Sequence, residues 1–247
     1  MFFTRFIPKK WLARCQYNGF LRKEKNKNLL ERNCDFKGSK QGRCFILGNG
    51  PSLKNEDLKY LTNEVVFTVN DSFLSGFFGE LRTNYHLLFD PQYSDRIGEI
   101  VEKINTHENK PVIVTDLANA NKVNKNIFDN DVIYLKPGFE IDSLKQFGVH
   151  IEKLVPYFCT VVQFALVLAI DMGFDQIYLL GCDCTGIINY MERKKGDIAS
   201  NYFFDIPKDE EKKLSSAIQN ISSEHAFYEW YHIFKSYRLI NEYAIKK

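Results

Sequence analysis

The sequence predicts an α/β fold: a mostly parallel sheet with helices on both faces, preceded by a basic N-terminal helical arm. Three observations predict it. Short apolar runs recur along residues 43–181 and alternate with helical patterns, which is how parallel sheets are wired. One helical run, Tyr157 to Met172, is apolar on every side and therefore belongs inside. The charge is split: residues 1–43 hold twelve Lys/Arg against three Asp/Glu, and the remainder holds 21 against 28.

The arm spans 1–42, and 43–247 reads as a single catalytic domain. In the arm, Phe2, Phe3, Phe6, Ile7, Trp11 and Leu12 interleave with Arg5, Lys9, Lys10 and Arg14. That pattern suits short amphipathic helices on an anionic membrane interface, and equally helices packed on the body or on a second copy. The stretch KGSKQG (37–42) reads as a linker. The body opens with the strand RCFIL, which runs into Gly48-Asn49-Gly50-Pro51-Ser52-Leu53, a glycine turn and a helix start. EVVFTVNDSF (64–73) holds a second strand, and NYHLLFDP (84–91) a third, stopped by Pro91. Arg96 to Ile104 has helical spacing. PVIVTD (111–116) and DVIYLKP (131–137) are two more strands. Gly173 ends the buried helix, and DQIYLLG (175–181) follows as a sixth, buried strand. Residues 183–221 are polar and irregular, and 222–244 form a long closing helix.

Composition excludes several classes. With 247 residues, 45% apolar and 26% charged, the chain is neither disordered nor fibrous and can bury a substantial core. The longest nearly unbroken apolar run, Val161 to Ile170, is too short to span a bilayer, and MFFTRFIPKK lacks the layout of a secretory signal. Six cysteines include no CxxC pair, and no His lies at ligand spacing from Cys182 and Cys184. They read as reduced thiols of a cytoplasmic protein without a zinc site. The acidic body argues against nucleic acid as a partner.

Parallel sheets bind ligands outside the carboxyl ends of their strands, so the residues just after each strand carry the functional signal. Gly48, Asn49 and Gly50 let a backbone approach a ligand closely, and Pro51 and Ser52 begin a helix whose N-terminus favours an anion. A structural turn explains the same glycines. Asn70 can read a ribose hydroxyl or a base edge, or cap its strand as an Asx-turn. Asp90 can bind ribose hydroxyls, hold a metal or cap the next turn. Thr160, at the start of the buried helix, can donate to a phosphate or a sugar carboxylate, or cap the helix. Asp183 is the strongest position, because an acid after a buried strand and a glycine costs desolvation unless something uses it. Among the histidines, His86 reads as packed, and His107 and His150 as solvated. His225 and His232 share one face of the closing helix, where a neutral imidazole can take a proton from a sugar hydroxyl.

CFILGNGPSLKNEDLKYL, VVFTVNDSF and ALVLAIDMGFDQIYLLGCD together resemble the bacterial sialyltransferases of the Campylobacter type. They also resemble the wider group named after archaeal hydroxymethylpterin diphosphokinase. The resemblance covers about 43–92 and 157–244. It implies a Rossmann-like, GT-A-variant fold that binds a CMP-activated acidic sugar without a metal cofactor. It implies that Gly48, Asn49 and Gly50 contact the nucleotide phosphate and ribose, and that Asn70 and Thr160 hold the donor. Asp183 matches the acid after the last core strand, and the family's catalytic His falls within one residue of His225. Asp90 stands where the sialyltransferases have Asn. The family's pair of tyrosines beside the leaving phosphate is replaced by Cys184 and Thr185, leaving Tyr190 or Tyr202 as substitutes. The family continues past its closing helix, whereas this chain stops at Lys247.

The expectation is therefore an inverting, metal-independent glycosyltransferase of bacterial surface-glycan biosynthesis. Its donor would be a CMP-activated sialic-acid, nonulosonic-acid or Kdo-type sugar and its acceptor a glycan. His225 would be the base, and Asp183 the second catalytic residue. Such an enzyme would work in the cytoplasm, at the inner face of the membrane through residues 1–42, and a homo-oligomer is consistent with it. The alternative is a Mg²⁺-dependent diphosphokinase acting on a hydroxymethylpterin-like alcohol, with Asp90 and Asp183 as metal ligands. A non-catalytic nucleotide- or glycan-binding subunit is a third reading.

Overall fold

The computed structural model describes residues 9–123, 132–191, 202–209, 211–212 and 221–247. Its strands are β1 (Arg43–Leu47), β2 (Val65–Val69), β3 (Tyr85–Leu88), β4 (Val112–Asp116), β5 (Val132–Leu135), β6 (Pro137–Phe139), β7 (Val155–Pro156) and β8 (Gln176–Leu180). Six of them form one sheet in the order β5-β4-β3-β2-β1-β8, with every neighbouring pair parallel. β6 and β7 pair in a small second sheet. This is a Rossmann-like α/β fold. From β1 the chain steps outward one strand at a time to β5, then returns to lay β8 on the other side of β1. The reversal of strand order therefore lies between β1 and β8, and the crevice beyond their carboxyl ends is where such sheets bind ligands.

The helices are α1 (Lys9–Lys23), α2 (Lys27–Glu31), α3 (Phe77–Glu80), α4 (Ile97–Asn105), α5 (Leu144–Phe147), α6 (Val161–Met172), α7 (Gly186–Met191) and the closing helix (Ser223–Ala244). Every residue of α6 from Val162 to Met172 is buried, as its uniformly apolar surface requires. It lies among Ile46, Phe67 and Leu87 of the sheet and Ile240 of the closing helix. The opposite face is covered by α4, whose Ile97, Ile100, Val101 and Ile104 recur at helical spacing against Leu88, Ile113 and Tyr134.

Four sequence expectations are corrected. β8 is an edge strand, not a buried one: it has only β1 beside it, and Tyr178 and Leu179 are 43% and 39% exposed. α6 begins at Val161 and not at Tyr157, because the preceding residues pair with β6; Tyr157 N–H donates to the Phe139 carbonyl at 2.9 Å. The run DVIYLKP divides, with Leu135 ending β5 in the large sheet and Pro137 opening β6 in the small one. Finally, 37–42 is a docked strap and not a free linker. Gly38 and Lys40 donate to the Asp171 and Met172 carbonyls, both at 2.9 Å, and Gly42 N–H donates to Asp175 Oδ2 at 2.6 Å.

The strap continues a docked second half of the arm. Leu30 is fully buried, and Asn33 Nδ2 donates to the Tyr134 and Ile151 carbonyls at 2.7 and 2.8 Å. α1 leans on the body through Tyr17, stacked on Phe147 with ring centroids 4.5 Å apart, and leaves Trp11 exposed. All six cysteines are free. Among the described residues no helix is long and apolar enough to cross a membrane.

Candidate functional site

The segments that follow β1 and β8 meet edge to edge. Gly48 N–H donates to the Leu180 carbonyl and Gly50 N–H to the Gly181 carbonyl, both at 2.8 Å. A Cβ on Gly48 would overlap the Gly181 carbonyl oxygen. One on Gly50 would overlap the Asp183 carboxylate and come within 2.6 Å of the Gly181 oxygen. Both glycines are thus demanded by the contact between two backbones. Ser52 completes the clamp, donating from its N–H to Asp183 Oδ2 at 2.8 Å and from its hydroxyl to Oδ1 at 2.5 Å. The sequence argument for Asp183 assumed a buried strand. Because β8 is an edge, its carboxylate is exposed, and both oxygens hold Ser52.

This clamp floors a hollow of about 340 Å³ at the switch point. Gly48, Asn49, Gly50, Asn70, Thr160, Asp183 and Tyr202 all line it. Pro51 and Ser52 do not line it; they open a short 3₁₀ turn, Pro51–Asn55, whose Ser52 N–H is taken by Asp183, so the expected anion-binding helix start is corrected. Asp90 opens onto a second hollow of about 390 Å³, which shares Asn70, Thr160 and Val161 with the first. The cleft is therefore two-lobed, with Asn70 and Thr160 on the divide.

Backbone strain is concentrated here. Asn70 (φ 45°) and Cys184 (φ 53°) are the non-glycine residues with positive φ among the described residues, and both line the first hollow. Such conformations persist only where the surroundings over-determine them, and they gather at functional sites. Asn49 Nδ2 donates to the Val69 carbonyl at 3.2 Å, which fixes its amide and leaves Oδ1 buried without a partner. Asn70 Oδ1 is likewise buried and without a partner. Beneath Asn70, His86 is fully buried with Nδ1 2.8 Å from the Thr68 hydroxyl, and burial lowers its pKa to about 3, so the ring is neutral.

Thr160 occupies the position before α6 in an extended conformation, and its side chain makes no capping hydrogen bond. Helix geometry also leaves the N–H groups of Val161 and Val162 without intrahelical partners. The ordinary capping explanation for Thr160 thus fails, and the residue lines both hollows. Burial pushes the Cys182 thiol up to about 12, which keeps it protonated at neutral pH.

Tyr202 lines the first hollow, and it and Phe203 are tied to its surroundings. Phe203 N–H donates to the Asn49 carbonyl at 3.0 Å, and Tyr202 Oη donates to Oδ2 of the buried Asp71 at 3.1 Å. Burial, then the nearby Asp71 charge, raises the pKa of Tyr202 and of the neighbouring Tyr93. The side chain of Tyr190 lies outside those described.

The closing helix supplies Trp230, Ile233 and Tyr237 to the first hollow, at helical spacing on one face. Gln163 of α6 fastens that face, its Nε2 donating to the Ile233 carbonyl at 2.8 Å. His225 belongs to a different face. It lines neither hollow, its side chain is 58% exposed, and its Nε2 is 3.3 Å from Glu229 Oε1. Sequence reasoning marked Asp71 and Asp116 as strand-end positions without giving either a role, and it overlooked Trp230 and Tyr237. The i, i+3, i+7 spacing of Trp230, Ile233 and Tyr237 was the available signal for the helix.

Compared with protein families, residues 20–188 match the family described as 6-hydroxymethylpterin diphosphokinase MptE-like. The match takes in all eight strands and the strand ends that build both lobes, and it exceeds half of the chain. The chain belongs to that family. No curated protein matches it.

Proposed function

We propose that this member of the MptE-like family is a metal-independent, inverting glycosyltransferase whose donor is a CMP-activated acidic sugar and whose acceptor is a glycan. The observation that carries the reading is the two-lobed cleft divided at Asn70 and Thr160. Transfer needs two substrates side by side, and a shared divide brings their reacting groups together. The orphaned Asn49 and Asn70 oxygens are acceptors, so they call for a ligand that donates, such as ribose hydroxyls or a cytosine amino group. The Thr160 hydroxyl and the free N–H groups opening α6 suit the single phosphate, or the carboxylate, of such a donor. No Lys or Arg is among the described residues lining the first hollow, which favours one phosphate over a triphosphate.

In the proposed reaction the acceptor hydroxyl attacks the anomeric carbon, the bond to the phosphate oxygen breaks, and CMP leaves with the electron pair. His225 is proposed as the base on the resemblance alone, since it lines neither lobe; Glu229 Oε1, 3.3 Å from its Nε2, would orient its ring. Tyr202 is proposed to turn its one O–H from Asp71 to the departing phosphate, and Asp183 to keep the glycine bend in shape. The basic arm, whose first helix carries no acidic residue, is proposed to hold the enzyme on an anionic inner membrane surface where a lipid-linked acceptor lies.

The family's own description favours a second reading, a diphosphokinase. That chemistry calls for Mg²⁺, and the residues present do not fit it well. Asp90 and Asp183 line different lobes, and among the described residues no group of three or more His, Cys, Asp or Glu could hold an ion.

Thermal unfolding with CMP, and with ATP and Mg²⁺, separates the two. A nucleotide at 100 times its Kd stabilises the fold by about 2.7 kcal/mol. Stabilisation by CMP alone supports the transferase, and stabilisation by ATP with Mg²⁺ alone supports the diphosphokinase. Turnover of CMP-sugars in EDTA then tests the chemistry. His225→Ala is expected to slow transfer by roughly 100-fold to 10,000-fold while leaving CMP affinity unchanged. Unchanged transfer removes His225 from the role.

A further inference from the structure

We propose that the second lobe is the acceptor site and that it selects an uncharged, hydroxyl-rich sugar residue over an anionic one. This rests on the two-substrate reading above and adds the class of the second substrate. Three features of the lobe carry it. The lobe is a hollow of about 390 Å³, large enough for one or two sugar rings, and is open to the first lobe across Asn70 and Thr160.

Its charge is one-sided. Asp90 and Asp116, from the ends of the adjacent strands β3 and β4, line it, and among the described residues no lysine, arginine or histidine does. Each acid is held by the turn that follows it: Asp90 Oδ1 accepts from Gln92 N–H at 3.1 Å and Asp116 Oδ1 from Ala118 N–H at 2.7 Å. The carboxylates are thereby fixed in place, and no cation among the described residues lining the lobe neutralises either. Two fixed acceptors facing one cavity attract hydroxyl donors and repel a carboxylate or phosphate.

Its wall is aromatic. Phe89 and Phe164 stack with centroids 4.1 Å apart, Phe158 meets Phe164 edge-on at 5.0 Å, and Tyr157 at the rim is 50% exposed. An aromatic face receives the C–H side of a sugar ring, while the carboxylates take hydroxyls from its edge. The β6–β7 pairing fixes the rim, since Tyr157 N–H is bonded to Phe139.

The first lobe differs. Its one carboxylate is spent on Ser52, and it offers hydroxyl and N–H donors. An acidic donor sugar is therefore directed to the first lobe and a neutral acceptor to the second. The same asymmetry keeps the donor from occupying the acceptor lobe.

The test is saturation-transfer NMR on the full chain with the methyl glycosides of galactose, glucose and N-acetylglucosamine. The methyl glycoside of glucuronic acid and 6-hydroxymethylpterin serve as comparisons. At least one neutral glycoside should bind, with affinity at least tenfold above the glucuronide. The double substitution Asp90→Asn, Asp116→Asn keeps both turn caps and should weaken it tenfold or more. Tyr157→Ala, at an exposed position, should weaken it with little effect on Tm. Glucuronide binding equal to the neutral glycosides, binding of the pterin alone, no glycoside binding, or undiminished binding in the double variant overturns the assignment. CMP-induced stabilisation, measured on the same samples, reports separately on the donor reading. Neutral-glycoside binding without a CMP response leaves the lobe assigned and removes the CMP donor.

Discussion

The two lobes of the cleft are built on opposite principles. The first is made of backbone: two glycines, two residues in the left-handed region, and a Ser52–Asp183 clamp joining β1's loop to β8's. The second is made of side chains, each acid standing on its own turn and each ring packed on its own element. Disturbing the first lobe must therefore disturb the sheet's switch point. Disturbing the acids or the exposed rim of the second, as opposed to its core rings Phe89 and Phe164, should change what binds and spare the fold. A cleft made this way can keep one half constant and vary the other.

The largest effect is expected at Gly50. Gly50→Ala drives a Cβ into the backbone of Gly181, which cannot rotate away as a flexible side chain would. Overpacking of this kind costs about 1–3 kcal/mol. Nucleotide binding should be lost as well. Gly19→Ala, within α1 where nothing lies within 4 Å of the new Cβ, is the control. It should be neutral or slightly stabilising. Equal denaturation midpoints for the two variants would break the comparison.

His86 sits at the root of the divide, and its effect comes second. Its native pKa of about 3 lies below the ordinary 6.5. As pH falls through 6.5 the unfolded chain takes up a proton that the native ring refuses, so stability is present above 6.5 and is lost progressively down to about 3. Chemical denaturation between pH 7 and 4 should follow this decline, and His86→Asn should flatten it.

Much of the first lobe was legible from sequence because its parts are contiguous. A strand, a Gly-Asn-Gly bend and an Asn after the next strand each leave a local mark. The rest depended on strand order. DQIYLLG is apolar enough to read as buried, and only its place at the sheet's edge exposes it and turns Asp183 into a clamp. KGSKQG has a linker's composition, but its backbone groups are taken by the end of α6 and by Asp175. Of the second lobe the strand-end acids Asp90 and Asp116 were legible, but their grouping with Tyr157 was not, because the three are 26 or more residues apart and only the fold brings them to one hollow. His225 was chosen by resemblance, whereas helical spacing alone would have selected the Trp230–Tyr237 face.

A smaller effect sharpens the role of the divide. A capping threonine is worth about 1 kcal/mol, but Thr160 makes no capping bond. Thr160→Val should therefore leave the denaturation midpoint nearly unchanged. It should weaken ligands in both lobes by roughly threefold to tenfold, the range of one hydrogen bond. A large stability loss with intact binding would make Thr160 structural.

The smallest effect on stability tests the second lobe most directly. Burial, partly offset by hydrogen bonds from Gln92, holds the Asp90 carboxyl above its ordinary pKa. Between the unfolded pKa and this raised value the native state binds more protons than the unfolded chain. Asp90 therefore costs stability at neutral pH, and that cost fades as pH falls through its native pKa. Asp90→Asn should stabilise the protein slightly at pH 7, and the gain should vanish on acidification below about 3.9. Asp116 faces the same hollow and is unchanged in both proteins, so the difference between them isolates Asp90. A merely structural acid would show no accompanying functional loss. If the carboxylate is kept for a ligand, the more stable variant must bind neutral glycosides less well, the opposition expected where a site is maintained against the interests of the fold.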